Sequence, residues 1–364
     1  MGYKRLGDYI REVNVRNRDE KVTNLQGVSI SKMFIPSIAN TIGTDMSTYK
    51  IVKPGQFAYG PVTSRNGDKV SIALYEESED AIISQAYTVF DVIDKNEVSN
   101  KYLMMWFQRP EFDRYARFHS HGSAREIFDW DELCNVMLPL PSIKRQREIV
   151  SEYETLTNRI RLNNQMIQHL EATAQALYRK MFVDNIDKEN LPDGWRMGTL
   201  GEVATLKAGG DKPKEFSEQK TEIYNIPVYA NGIENKGIFG YTTKPIVKAK
   251  SITISARGTI GYCFLRKQPY VPIVRLVVIL PKNEIATQYL YYHLNSSNIK
   301  GSGSVQSQLT VPDMEGMEII IPPHQLVQEF NDKVETIDKV IEMCEQENSK
   351  LTELQSLLLA KMGQ

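Results

Sequence analysis

Arg257 stands between small and turn-forming residues in the run Ser255-Ala256-Arg257-Gly258-Thr259-Ile260-Gly261, at the exit of a strand-like stretch. Glycine lets backbone N–H groups approach an anion, and a guanidinium can grip a phosphate or a guanine edge with two parallel hydrogen bonds. A related set occurs earlier, as Thr63-Ser64-Arg65-Asn66-Gly67-Asp68-Lys69, and Gly67 falls on Gly258 at an offset of 191. Its candidate contacts are Ser64, Arg65, Asn66 and Lys69, against Ser255, Arg257 and Thr259 in the later set. A second pair follows downstream. Arg114, Arg117 and His119 lead to Ser123 and Arg125, and Lys300 leads to Ser304, Gln306 and Gln308. Arginine, histidine, glutamine and serine are side chains that contact phosphates and base edges. Either loop alone also reads as a hairpin with a solvated arginine, and Arg114–His119 also reads as a helix face packed on its own domain. Occurrence in pairs favours anion-facing surfaces.

Enzyme chemistry finds no footing. The chain has no G-x-x-x-x-G-K-[ST], no G-x-G-x-x-G opening a helix, no H-E-x-x-H and no G-x-S-x-G. An Asn-Pro-Pro-aromatic tetrapeptide of the amino-methylating kind is missing, and Pro312-Asp313 is not followed by a Glu-x-Lys. His119 and His121 stand two apart with no third ligand nearby in sequence, so a plain loop pair is expected and no metal site. The expectation is a non-catalytic binding protein that holds no cofactor or metal of its own.

An internal repeat positions these residues. At an offset of 181, Gly122-Ser123 meets Gly303-Ser304, Pro141 meets Pro322, Leu177 meets Leu358, and Lys180-Met181 meets Lys361-Met362. Near the start of each copy the offset is 194, where Leu6-Gly7-Asp8 meets Leu200-Gly201-Glu202, so the first copy carries 13 more residues. The front of each copy, 1–141 and 186–321, is rich in β-type runs such as YKIVKPGQFAY, KVSIALY and IVRLVVIL, punctuated by turn signals such as Asn231-Gly232. An aromatic helical segment follows in each, KYLMMWFQ and TQYLYYHL. The back of each copy, 142–185 and 322–364, carries the alternating four-and-three apolar spacing of a coiled coil. The first seam is Ile149, Tyr153, Leu156, Ile160, Asn163, Ile167, Leu170 and Leu177. The second is Phe330, Val334, Ile337, Ile341, Cys344, Leu351 and Leu358, with Asn348 and Gln355 as polar interruptions.

A lone helix with one apolar stripe needs a partner in water. Residues 142–182 hold 7 basic and 4 acidic side chains, whereas 322–364 hold 4 and 8. Opposite signs favour pairing the two helices with each other, antiparallel because the chain crosses a whole globular part between them. The predicted architecture is therefore α+β, two globular parts separated by two long antiparallel coiled-coil helices. The net charge of −1 leaves any nucleic-acid surface local. Three scattered cysteines, a polar start and the lack of an 18-residue apolar run predict a soluble cytoplasmic protein without a membrane partner.

On SARGTIG, TSRNGDKVSIA, GSAREIFDWDEL before LPLPSIKRQREIV, IIIPPHQLVQEF and the duplicated plan, the chain resembles the DNA-specificity subunit of type I restriction-modification systems over essentially its whole length. The resemblance implies that each globular part is a target-recognition domain reading one half of a split double-stranded DNA site. It implies that the helices form a spacer that docks two modification subunits. Those partners use S-adenosylmethionine to methylate adenine, and restriction subunits using ATP and Mg can join them. Two other readings stay open on the residues alone. Gly258-x-x-Gly261 could clamp an RNA backbone, and the helices could belong to a coiled-coil adaptor without nucleic acid.

Overall fold

The β-type runs fold into two copies of one antiparallel sheet. In the first copy the strand order is Ile10–Val13, Thr88–Val92, Phe57–Tyr59, Ile72–Leu74. In the second it is Ala204–Ala208, Val277–Pro281, Ser251–Ile254, Cys263–Arg266. A smaller sheet accompanies each. Leu25–Val28 pairs antiparallel with Phe34–Pro36 and parallel with Ala81–Ile83, as Ile226–Tyr229 pairs with Ile238–Thr242 and Val271–Pro272. The first copy adds an edge strand, Lys50–Val52, to this smaller sheet, where the second has an antiparallel bridge of Val247 to Tyr270. The molecule is seen here as a computed structural model describing residues 2–363 except 38–42, 65, 68, 123–124, 284–285, 298 and 300–307. Arg65, Ser123, Lys300, Ser304 and Gln306 lie outside the described residues.

Two apolar runs that read as single strands are each divided. YKIVKPGQFAY breaks at Pro54-Gly55 into strands of different sheets, since proline cannot donate to a ladder. IVRLVVIL breaks at a turn of Val274 and Arg275.

Pairing partners also locate the surplus residues. Tyr59 and Ile72 flank the hairpin loop of the first copy, and Ile254 and Cys263 flank that of the second, so twelve residues connect the strands in one and eight in the other. Tyr102 and Tyr289 are equivalent at an offset of 187, because their hydroxyls donate to the carbonyls of Pro139 and Ile320. Those carbonyls are 181 apart, so six further extra residues lie between Tyr102 and Pro139. The Leu-Gly pairs have a packing cause. A side chain on Gly7 would stand 2.7 Å from the Cβ of Cys134, and one on Gly201 would stand 3.2 Å from that of Glu315.

Two long helices complete the chain, Ile143–Phe182 and His324–Lys361, each beginning just after proline. Two compact units result, one of residues 1–163 with 345–364 and one of 164–344. These boundaries cut through both helices, because each half-helix packs into the core of a globular part. In the first unit Ile149, Val150 and Tyr153 share a core with Leu359 and Met362. There Asn163 Nδ2 donates to Asn348 Oδ1 at 3.0 Å and Glu347 Oε2 at 2.8 Å, while Arg159 grips the Glu347 carboxylate with two bonds. In the second unit Ala174, Leu177, Tyr178 and Phe182 share a core with Val327, Phe330 and Val334. In the first unit Gln355 Nε2 donates to Thr157 Oγ1, so later positions of one helix meet earlier positions of the other there. Leu156, Ile160, Ile167, Leu170, Ile337, Ile341, Leu351 and Leu358 are half-buried, and Asn163 and Cys344 are buried. No helix among the described residues is long and apolar enough to cross a membrane.

Candidate nucleic-acid interface

Residues 255–262 form the hairpin loop of the second copy. It closes through Ser255 N to Tyr262 O and Gly261 N to Ser255 O, both at 3.0 Å, with Gly258 turning through φ 69°. A φ of that sign suits glycine, which lacks the Cβ that would clash. Arg257 and Thr259 are exposed on this loop. Segment 308–309 is pinned beside it by Leu309 N to Ala256 O, and Arg257 Nη2 donates to Gln308 Oε1 at 3.3 Å. Two residues selected far apart in sequence thus meet. Ser255 is a correction. It is 1% exposed at the end of a run, Ser251 to Ala256, that is buried on both faces, so its side chain is not available to a ligand.

A cleft of about 410 Å³ beside Arg257 adds residues that sequence reasoning missed: Lys212, Val274 and Arg275, with Gly209 and Gly210. Lys212 Nζ lies 3.5 Å from the centroid of the Phe216 ring, a cation–π contact. Val274 and Arg275 are consecutive residues in left-handed backbone, φ 52° and 59°. Such conformations cost of the order of 1–3 kcal/mol each outside glycine. They are held by Val274 N to Gly210 O and Arg275 N to Gly209 O. Asn231 ties the two walls together, its Nδ2 donating to Val274 O and its Oδ1 accepting from Ala256 N, both at 2.8 Å. The one signal for this turn was an arginine inside an apolar run, and Asn231 showed itself only as a turn residue.

In the first copy, residues 60–71 form the equivalent loop. Gly60 N donates to Ser71 O and Gly67 turns through φ 61°. Ser64 and Lys69 are exposed, whereas Asn66 is half-buried and spends its Nδ2 on Val62 O. Phe128 N to Pro61 O repeats the pinning seen at Leu309. The helix Pro110–Phe118 brings Arg114 and Arg117 beside Lys69 along a cleft of about 870 Å³ that also includes Phe118, which is 81% exposed. Three side chains here have an acidic neighbour: Arg114 with Glu111 at 3.2 Å, Arg117 with Glu126, and His119 with Glu132 at 3.2 Å. Arg125 is exposed. Under this surface Lys32 is buried 2.8 Å from Asp113, and burial pulls its pKa below the usual lysine value.

The histidine pair gains a neighbour on folding. Folding supplies the third donor that the sequence lacked nearby, because the short helix Trp130–Cys134 carries Glu132 to His119 and His121. The thiols offer little chemistry: burial pushes Cys134 up and Cys263 up to about 12, which disfavours the nucleophilic thiolate. What both surfaces present is cations and hydrogen-bond donors on turn-rich loops, a chemistry suited to phosphate and base edges.

The profile of the family described as type I restriction modification DNA specificity domain matches residues 45–172 and 192–353. A type I specificity subunit from Mycoplasma pneumoniae is 30% identical over 58% of this chain and 68% of its own length. The HindI specificity subunit of Haemophilus influenzae is 21% identical over 98% of this chain and 97% of its own. Among solved structures, the S subunit from M. genitalium superposes with a TM-score of 0.56 at 16% identity, covering 100% of this chain and 96% of that one.

Proposed function

The chain belongs to the type I restriction-modification DNA specificity family, and we propose that it is the non-catalytic reader of such a complex, taking one block of a two-part duplex target in each unit. The observation that carries this is the matched placement of two hairpin loops, 60–71 and 255–262, on equivalent strands of equivalent sheets. Equivalent scaffolds with different loop side chains suit an asymmetric target, since the Lys69–Arg114–Arg117 surface and the Lys212–Arg257–Arg275 surface differ in shape and composition. Major-groove faces recur every ~34–36 Å along a duplex. Two readers held at a fixed separation therefore leave a fixed number of base pairs unread between them. In this proposal the helices set that separation and dock two modification subunits. The modification subunits supply S-adenosylmethionine chemistry, restriction subunits bring ATP and Mg, and the assembly works in the cytoplasm.

The loop-by-loop assignment has a direct test. Arg257→Ala and Arg275→Ala should weaken or relax one block of the methylation motif, at about 1–3 kcal/mol per lost base contact, and Lys69→Ala and Arg114→Ala the other. Methylation mapping in which all four variants alter the same block would contradict two independent readers. The RNA-clamp reading gains nothing from the repeat, because Gly258-x-x-Gly261 has no counterpart in loop 60–71.

A further inference from the structure

We propose that His119, His121 and Glu132 form a binding site for a single divalent transition-metal ion of the zinc class. One donor atom from each lies within 4.8 Å of the others. His119 Nδ1 and Glu132 Oε2 are 3.2 Å apart, close to the ~3.4 Å edge of a tetrahedron built on ~2.0–2.1 Å bonds. Three separate backbone devices hold the donors. His119 ends the helix Pro110–Phe118, with its N–H bonded to Tyr115 O. His121 is fixed in a two-bond bridge with Ile127, at 3.0 and 2.9 Å. Glu132 stands in the first turn of Trp130–Cys134, where Asp129 caps its N–H.

Two imidazoles and one carboxylate match zinc, cobalt or nickel better than magnesium or calcium, which prefer all-oxygen sets. His121 is exposed, so the fourth position opens to solvent. The ion would cross-link both ends of the segment 119–132, which carries Arg125 and Glu126, the partner of Arg117. At the helical offset of 181 the second copy has Lys300, Ser302 and Asp313 in these places. That is no metal set, so the site belongs to the first copy alone.

Metal binding here is measured in the absence of DNA, so its outcome does not depend on the proposed reading of DNA. Full-length chain made without a histidine tag is stripped with chelator, dialysed and titrated with zinc chloride by calorimetry at pH 7.5. One equivalent should bind, and His121→Ala and Glu132→Gln should each weaken it by ~100-fold or more, since even outer-shell partners are worth 10–100-fold. His169→Ala, on the central helix, serves as the control and should bind like the parent. Circular dichroism checks that each variant is folded. No binding by the parent chain, or full binding retained by either ligand variant, overturns the site.

Discussion

Arg257 and Ser255 sit two positions apart at the end of one strand, yet one side chain meets solvent and the other is buried. Ser255 ends a strand covered on both faces, the apolar row Ile252, Ile254 and Ala256 on one and Ser251, Thr253 and Ser255 on the other, and residue type alone did not reveal the second cover. Arg257 is exposed because it lies at the tip of the loop 255–262, beside the turn at Gly258. Residue type picked out basic side chains at turns, but it could not show which acids would meet them. Arg117 faces Glu126 and His119 faces Glu132 only after the chain folds back. The same holds in the second unit for His293, whose Nδ1 lies 2.9 Å from Tyr178 Oη on the central helix. Burial, helped by nearby Lys188, pulls the His293 pKa down to about 4 from an ordinary 6.5. Unfolded chain therefore takes up this proton first as pH falls. The stability this site contributes is complete above pH 6.5 and drains away between there and about pH 4. By pH 5 the loss is about 2 kcal/mol. Thermal melts at pH 7 and pH 5 should show a larger drop for the parent chain than for His293→Gln. Equal drops would contradict a neutral buried imidazole.

Helices and sheets were more legible than side-chain directions. The four-and-three spacing located both long helices, and the β-type runs located most strands, because periodicity reports which face is buried. What periodicity could not report was where a run is cut. Lys50–Val52 and Phe57–Tyr59 belong to different sheets, and only proline and glycine between them hinted at it. Nor could the sequence distribute the surplus of the first copy, since loop residues without a repeat carry no offset. Strand partners supply it. The long helices meet in the first unit at Asn163 and Asn348, polar residues on largely apolar seams. A polar pair with Asn163 buried and Asn348 half-buried disfavours slippage, because any other register strands the Asn163 amide against apolar side chains. Inserting four residues after Asn163 and four opposite, before Asn348, preserves this pairing and adds about 6 Å of helix. The unread gap of the target should then lengthen by about two base pairs while both blocks stay the same. Altered blocks with an unaltered gap would sink the helices as a ruler.

At the scale of the molecule, two copies of one plan carry two unlike surfaces. Net charge is −1, so attraction to DNA rests on local clusters, and affinity should fall steeply with salt only in proportion to the few phosphates those clusters reach. The repeat was legible because both copies keep the packing that requires it: Gly7 on Cys134 and Gly201 on Glu315, Tyr102 on Pro139 and Tyr289 on Ile320. The reading surfaces were legible only in part, because Lys212, Val274 and Arg275 sit where topology, and not spacing, gathers them. Genome-wide mapping of methylated adenines in cells that make this chain with its modification subunits tests the central claim most directly. Two unlike readers on one spacer should give one motif of two short, different blocks separated by a constant number of unread base pairs. A continuous motif, or two blocks that are inverted copies of each other, would contradict it.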